Sequence, residues 1–440
     1  MKLKVILFSL FVFCLVGCET TTTESGDLEL TTDVSSNISS NGTELELDIT
    51  SSGDWMIQSD AIWCTPVPSE GNGNCTIKLL VGANINSSER SASVTLSANG
   101  RMQTIRLTQD AADPDAGEYH YELPVIFHVL YDNEADENQY VREGWLAQIL
   151  EICNQRYRNA YSSGFPGKQG TDINIEFVMA ETDPDGNLLD EPGVDRRYWR
   201  NATIDCETFT SESNPEAAEL VWDLNRYINI YVYTFTDQQI LGITHLPYTG
   251  TTHPLEGLIE SDYFYTNSEV NYPRGVSINN AAIYDLSSDG TFRSSDIAVT
   301  LSHELGHYLG LFHAFSSSDA DDSDASETDY CDDTPDYDRS AYLSWLDLHS
   351  NNLSMNEAIR RVSTTGVSFE ARNIMDYFWT LADEFTADQR ARMRHVLENS
   401  PIIPGPKYEQ TRTRSTGSEV EPPIRTMKLV KRNDFSQIMK

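Results

Sequence analysis

One segment constrains this chain more than any other: His303-Glu304-Leu305-Gly306-His307-Tyr308-Leu309-Gly310-Leu311-Phe312-His313. His303 and His307 are four residues apart, about one helical turn, so on a helix both imidazoles lie on one side. The helix is expected to begin near Ser294 or Ser295, either a suitable cap, with Asp296 at its positive end. It runs through Leu309 and stops at Gly310, where glycine allows a positive φ. The chain then turns, and His313 can return to the point that His303 and His307 face. A lone His on a helix is usually a surface or satisfied core residue. Three of the chain's nine His fall in this window, and packing does not require them there.

The spacing is that of a zinc site. H-E-x-x-H alone arises by chance in roughly a few per cent of chains this long, and the full eleven-residue pattern in on the order of one in ten thousand. A structural zinc closes with four protein ligands, often Cys. Here three His stand without a nearby Cys, which leaves a fourth position for water. A zinc in that place brings the pKa of its water to about 7. Glu304, beside the ligands, is then the general base and afterwards the proton donor to a leaving amine. The chemistry this implies is hydrolysis of a peptide bond.

A second segment, Asn373-Ile374-Met375-Asp376-Tyr377, lies downstream. Together with the long zinc motif it resembles the Met-turn of metzincin peptidases, which puts Met375 beneath the metal. By that resemblance Tyr377 is the phenol that stabilises the oxyanion; its bland role is packing. The residue after His313 is Ala314, which does not fit the astacins, adamalysins or matrixins. The run from His303 to Phe315, Cys331-Asp332-Asp333-Thr334-Pro335, the 373–377 segment and Glu384-Phe385-Thr386-Ala387-Asp388-Gln389 together resemble the pappalysin family, as does the strand Pro124-Val125-Ile126-Phe127-His128-Val129. The resemblance spans roughly residues 118 to 400. It implies a mixed five-stranded sheet, an active-site helix, a Met-turn and a last helix at Asp383 to Asn399. It also makes Gly242-Ile243-Thr244 the edge strand that pairs with substrate backbone.

Two features depart from that family. It has more Cys after the zinc helix than the single Cys331 here, so its disulfide pattern does not transfer. Some members bind calcium, and Asp319, Asp321, Asp322, Asp324, Asp329, Asp332 and Asp333 crowd one loop. Such a cluster either supplies hard oxygen ligands to calcium or is a solvated acidic loop; the EF-hand order is absent.

Upstream the pattern changes. Lys2 and Lys4 precede an apolar run from Val5 to Val16, too short to span a bilayer but suited to a signal peptide. Leu15-Val16-Gly17-Cys18 resembles a bacterial lipobox, which implies lipidation at Cys18 and a membrane-anchored, extracytoplasmic protein. Residues 19–26 read as a tether. Period-two stretches at 44–49, 76–81, 92–96 and 103–107, separated by Gly, Asn and Ser, argue an all-β sandwich over 27–112. Trp55-Met56-Ile57, Trp63, Asn84 with Arg90, and Leu107-Thr108-Gln109 resemble a BACON domain, an immunoglobulin-like module for which glycan binding has been suggested. Trp55 and Trp63 are then either sugar platforms or core residues, with core favoured, and the domain is at least as well read as a spacer.

After a linker at 113–117, helix and strand interleave in an α/β pattern over 118–403: strands at 123–130, 173–179, 227–235, 241–246 and 276–283, and a helix within 143–161. Most of residues 404–440, polar and basic with few apolar anchors, reads as a flexible tail or a poorly packed extension. The formal charge of -37 makes nucleic acid an unsuitable partner. Export permits disulfides. Cys64 and Cys75 sit in the small domain, and Cys206 with Cys331 is the pairing expected in the large one. The reading is a lipid-anchored zinc endopeptidase acting on protein or peptide. The competing readings are a glycan-binding surface adhesin with an inert peptidase domain, and a self-processing enzyme restrained by residues 19–116.

Overall fold

The structure is a computed structural model that describes residues 28–31, 37–263, 265, 270–287, 295–318, 328–349, 353–377, 379–408 and 421–430. The leader, the tether and Cys18 lie outside the described residues, as do Ser294, Asp319, Asp321, Asp322 and Asp324. Among the described residues no helix is long and apolar enough to cross a membrane.

The N-terminal domain is a sandwich of two sheets. One runs in the order Leu28–Thr31, Thr43–Ser51, Cys75–Val81, Cys64–Val67. The other runs Asn37–Ile38, Arg101–Gln109, Arg90–Ala98, Asp54–Ser59, Glu70–Asn72. Alternate residues point inward, so Leu47, Ile57, Leu79, Val94 and Leu96 form the core. Trp55 and Trp63 join them, 4% and 6% exposed, so neither offers a platform to a sugar. Arg90 lies over the Trp63 ring and bonds Gln109 Oε1 and the Gly82 and Ala83 carbonyls. Asn84 bonds the carbonyls of Ser88 and Asp110. The polar residues of the motif thus close the end of the sandwich.

The second domain is built on a mixed sheet. Its strands are β1 (Tyr121–Tyr131), β2 (Ile175–Met179), β3 (Ile228–Phe235), β4 (Ile240–His245), β5 (Val276–Asn279) and β6 (Thr426–Val430). The order is β2-β1-β3-β5-β4-β6. The first four are parallel; β4 is antiparallel to β5, and β6 to β4. Two short strands, Val194–Tyr198 and Thr203–Ile204, add to β1 and β3. The expected five-stranded mixed sheet is present, extended by β6. Helices α1 (Trp145–Tyr157) and α2 (Ile297–Tyr308) cover one face, where Val125, Phe127, Ile149, Ile230, Leu301 and Leu305 share one apolar core. The helices α3 (Arg339–His349) and α4 (Ala387–Asn399) follow in the C-terminal part.

Several sequence expectations are corrected. The stretch 276–283 is a strand only to Asn279, after which Asn280–Ala282 forms a 3-10 turn. The last helix starts at Ala387, not Asp383, because Thr386 caps it and Gln389 completes a capping box. The tail is not wholly free: Pro406 accepts the Tyr121 hydroxyl, and 426–430 enters the sheet.

The expected disulfides are absent, since Cys64, Cys75, Cys153, Cys206 and Cys331 are all free. Cys64 faces Val81, at the far end of the strand that Cys75 begins, roughly 20 Å away at strand rise, far beyond disulfide reach. Cys206 packs with Phe209 and Tyr233, whereas Cys331 lies in the loop tied to the start of α4 by the Asp332 N–H on Asp388.

Candidate active site

The site starts with the cap of α2. Asp296, rather than Ser294 or Ser295, closes the helix by accepting the Ala298 and Val299 N–H groups. Ser295 instead bonds the Asp285 carboxylate. At the other end Gly310 has φ +89, and a Cβ there would lie 2.7 Å from Val396 Cγ2. Both conformation and space require glycine. The turn presents the Leu311 carbonyl to His307 Nδ1 at 2.9 Å and brings His313 back over the helix.

His303, His307 and His313 converge. His307 Nε2 lies 3.0 Å from His303 Nε2 and 3.0 Å from His313 Nε2. All three side chains are buried, and burial pushes His303 down to about 4 and His307 well below its usual value, so these rings are neutral. His303 Nδ1 donates to the Ile374 carbonyl at 2.8 Å and His307 Nδ1 to Leu311. Each Nε2 then carries a bare lone pair, and those lone pairs face one another. Two lone pairs at 3.0 Å repel unless a cation sits between them. Nitrogens bound to a tetrahedral zinc at about 2.0–2.1 Å are separated by roughly 3.3 Å. The donor set therefore fits zinc, with carbonyls fixing the ring tautomers. Among the described residues it is the one group of His, Cys, Asp and Glu arranged to hold a metal.

Glu304, on α2 beside the imidazoles, packs against β4. Thr244 Oγ1 donates to its Oε2 at 2.5 Å, and a Cβ on Gly242 would come within 2.6 Å of Glu304 Cγ and Oε1. The strand is thus shaped to the carboxylate. Burial pushes Glu304 up to about 8, against the lowering by the Thr244 hydroxyl and the Leu429 N–H.

The floor comes from the turn at 373–377. Met375 is fully buried, and a Cβ on Gly306 would meet its Sδ at 2.5 Å; glycine there admits the thioether against the helix between the two ligands. Asn373 holds the turn through the Met375 N–H and exchanges two hydrogen bonds with Gln389 of α4. The Tyr377 ring lies 4.6 Å from that of His313, centroid to centroid. Its hydroxyl donates to the Lys428 carbonyl on β6.

The expected substrate edge, Gly242 to Thr244, is covered. β6 pairs along it, Leu429 opposite Gly242, Lys428 opposite Ile243 and Met427 opposite Thr244. What lies in the cleft is therefore the C-terminal strand and not a described part of residues 19–116. Its signal in the sequence was the short alternation Thr426-Met427-Lys428-Leu429-Val430, hidden in a polar tail. Roles for Gln389 and Glu207 were also missed, since neither belongs to a local motif. Of the acidic loop, Asp329 accepts the Thr334 hydroxyl and the Cys331 N–H, and Asp333 accepts the Asp388 N–H. Asp329 thus braces the loop internally, and Asp333 ties it to α4.

Residues 211–398 match the family profile Peptidase_M43, described as Pregnancy-associated plasma protein-A, and residues 53–110 match the BACON profile. No curated protein matches. Among solved structures, mature mirolysin of Tannerella forsythia in complex with a cleaved peptide is 22% identical, over 63% of this chain and 91% of that one, with a TM-score of 0.45. A Bacteroides ovatus xyloglucanase in complex with a heptasaccharide is 18% identical over 47% of this chain and 37% of that one, with a TM-score of 0.19. The chain thus joins a BACON domain to a peptidase domain of the pappalysin family, and it is a metalloendopeptidase.

Proposed function

We propose that this metallopeptidase is a zinc enzyme that cuts extracytoplasmic proteins while tethered to a membrane through a lipid on Cys18. His303, His307 and His313 hold the zinc, and Glu304 is the general base. The observation that carries this is the convergence of three buried imidazoles, the Nε2 of His307 lying 3.0 Å from those of His303 and His313, with a buried carboxylate alongside.

Bound there, zinc supplies Lewis-acid chemistry: it polarises a carbonyl and acidifies water. The rest falls to the chain. β4 offers backbone groups to an extended substrate in antiparallel register. Thr244 holds the Glu304 carboxylate in place, where it accepts a proton from the attacking water and returns it to the leaving amine. The Tyr377 hydroxyl, which already donates to a peptide carbonyl, stabilises the charge that develops on that oxygen. The N-terminal sandwich, with both Trp residues in its core, acts as a spacer between lipid and enzyme.

The test is cleavage of a broad peptide library by the purified chain, with and without chelator, together with metal content by mass spectrometry. One zinc per chain, chelator-sensitive cleavage and loss of cleavage in Glu304→Ala are expected. Equal cleavage by wild type and Glu304→Ala would sink the assignment of the base. A His307→Ala chain that keeps its zinc would sink the ligand set.

A further inference from the structure

β6 lies in the cleft as a substrate would. It runs antiparallel to β4, over Gly242 to Thr244. One peptide bond of it spans the chemistry: the Lys428 carbonyl accepts the Tyr377 hydroxyl, and Leu429 pairs with Gly242, the residue whose open side lies against the Glu304 carboxylate. The oxygen that would gain charge thus meets the Tyr377 hydroxyl, and the residue whose nitrogen would leave sits across the strand from the Glu304 side. The flanking side chains are also received. Lys428 Nζ pairs with Glu207 at 2.8 Å, on the short helix Cys206–Ser211. Leu429 is 7% exposed and joins the apolar cluster of Leu241, Ala282, Phe315 and Trp379.

We propose that the enzyme hydrolyses its own Lys428–Leu429 bond, and that Glu207 and the apolar pocket under Leu429 select a basic residue followed by an apolar one. This rests on the zinc-peptidase reading above. In the reaction a water oxygen bonds to the Lys428 carbonyl carbon and the bond to the Leu429 nitrogen breaks. The departing amine takes a proton from the water. Lys428 is left as a carboxylate terminus and Leu429 as an amino terminus, with no other reactant. Because the strand is already seated, the step is intramolecular and its rate does not depend on protein concentration. Its products are a shortened chain with an open cleft and a peptide beginning at Leu429.

Intact-mass spectrometry of the zinc-loaded full chain tests this, with a library peptide present as a second substrate. The expected result is loss of residues 429–440 with first-order kinetics unchanged by tenfold dilution, abolished in Glu304→Ala. Glu207→Gln should slow it two- to fivefold, as suits a half-exposed ion pair, and Leu429→Asp should block it while raising cleavage of the library peptide. Library cleavage with an intact C-terminus, or a cut at another bond, overturns the proposal and leaves the peptidase reading standing. Cleavage of neither overturns both. A readout free of metal is hydrogen exchange of the metal-stripped full chain. Amides of 426–430 should be protected, and less so in Leu429→Asp; exchange there as fast as in an unstructured peptide also overturns it.

Discussion

Thr244 and Gly242 act on the same carboxylate from neighbouring positions on β4. Thr244 supplies the hydroxyl that holds Glu304 Oε2, and Gly242 supplies the space for its Cγ and Oε1. Thr244→Val keeps the shape and removes the hydrogen bond, so kcat should fall about tenfold with KM little changed, the loss of a bond worth about 1–1.5 kcal/mol. Gly242→Ala should cost more, about a hundredfold in kcat/KM, because the methyl group displaces the base itself. Steady-state kinetics on one library peptide checks both; an unchanged kcat in Thr244→Val would show that the hydroxyl does not position the base. Neither role is readable locally, because both residues lie 60 or more positions from Glu304 and meet it only through the sheet.

Among the elements, the Met-turn and α4 are joined by a reciprocal pair of hydrogen bonds between the side chains of Asn373 and Gln389, and Gln389 also completes the capping box of α4. Gln389→Ala should destabilise the peptidase domain by about 2–3 kcal/mol, read from the urea midpoint; a change within 0.5 kcal/mol, roughly the scatter of surface substitutions, would refute the coupling. Beyond α4, Lys407 is buried beneath the Leu397 and Pro404 carbonyls, and burial pushes it down to about 7. The unfolded chain holds that proton up to about pH 10.4, so between pH 7 and 10 the unfolded state binds more protons and this group makes stability rise with pH. Below about pH 7 both states are protonated and its contribution is flat. Lys407→Met should lose that rise, about 2–4 kcal/mol at roughly 1.4 per pKa step, in urea titrations at pH 7 and 9.5. Equal slopes in variant and wild type would place the ammonium in water.

For the molecule as a whole, the peptidase domain brings three buried imidazoles together, and the facing lone pairs of His303 and His307 repel until a cation joins them. Zinc at a hundred times its dissociation constant should stabilise the domain by about 2.7 kcal/mol, a rise in melting temperature on the order of 5 °C for a domain of this size. Calorimetry of stripped and zinc-loaded protein checks this, and His307→Ala should abolish the rise; identical melting curves would count against metal binding at this site. The two domains also stand without the expected disulfides. Cys64, Cys75, Cys206 and Cys331 are free because sandwich register and helix packing set them against different neighbours.

How much of this was legible follows from distance along the chain. The eleven residues from His303 to His313 determined the helix, its stop at Gly310 and the three-imidazole set, because one turn of helix and one glycine suffice to bring those groups together. The period-two stretches determined the sandwich, and the buried runs near 125 and 230 determined strands of the main sheet. The cap at Asp296, the hold of Thr244 on Glu304 and the tie between Asn373 and Gln389 were decided only by tertiary structure. So was the placing of 426–430 on the edge strand. A five-residue strand has too weak a pattern to announce its partner, and pairing with β4, more than 180 residues earlier, is chosen by what the cleft leaves uncovered: unpaired backbone along Gly242 to Thr244 and an apolar pocket for Leu429.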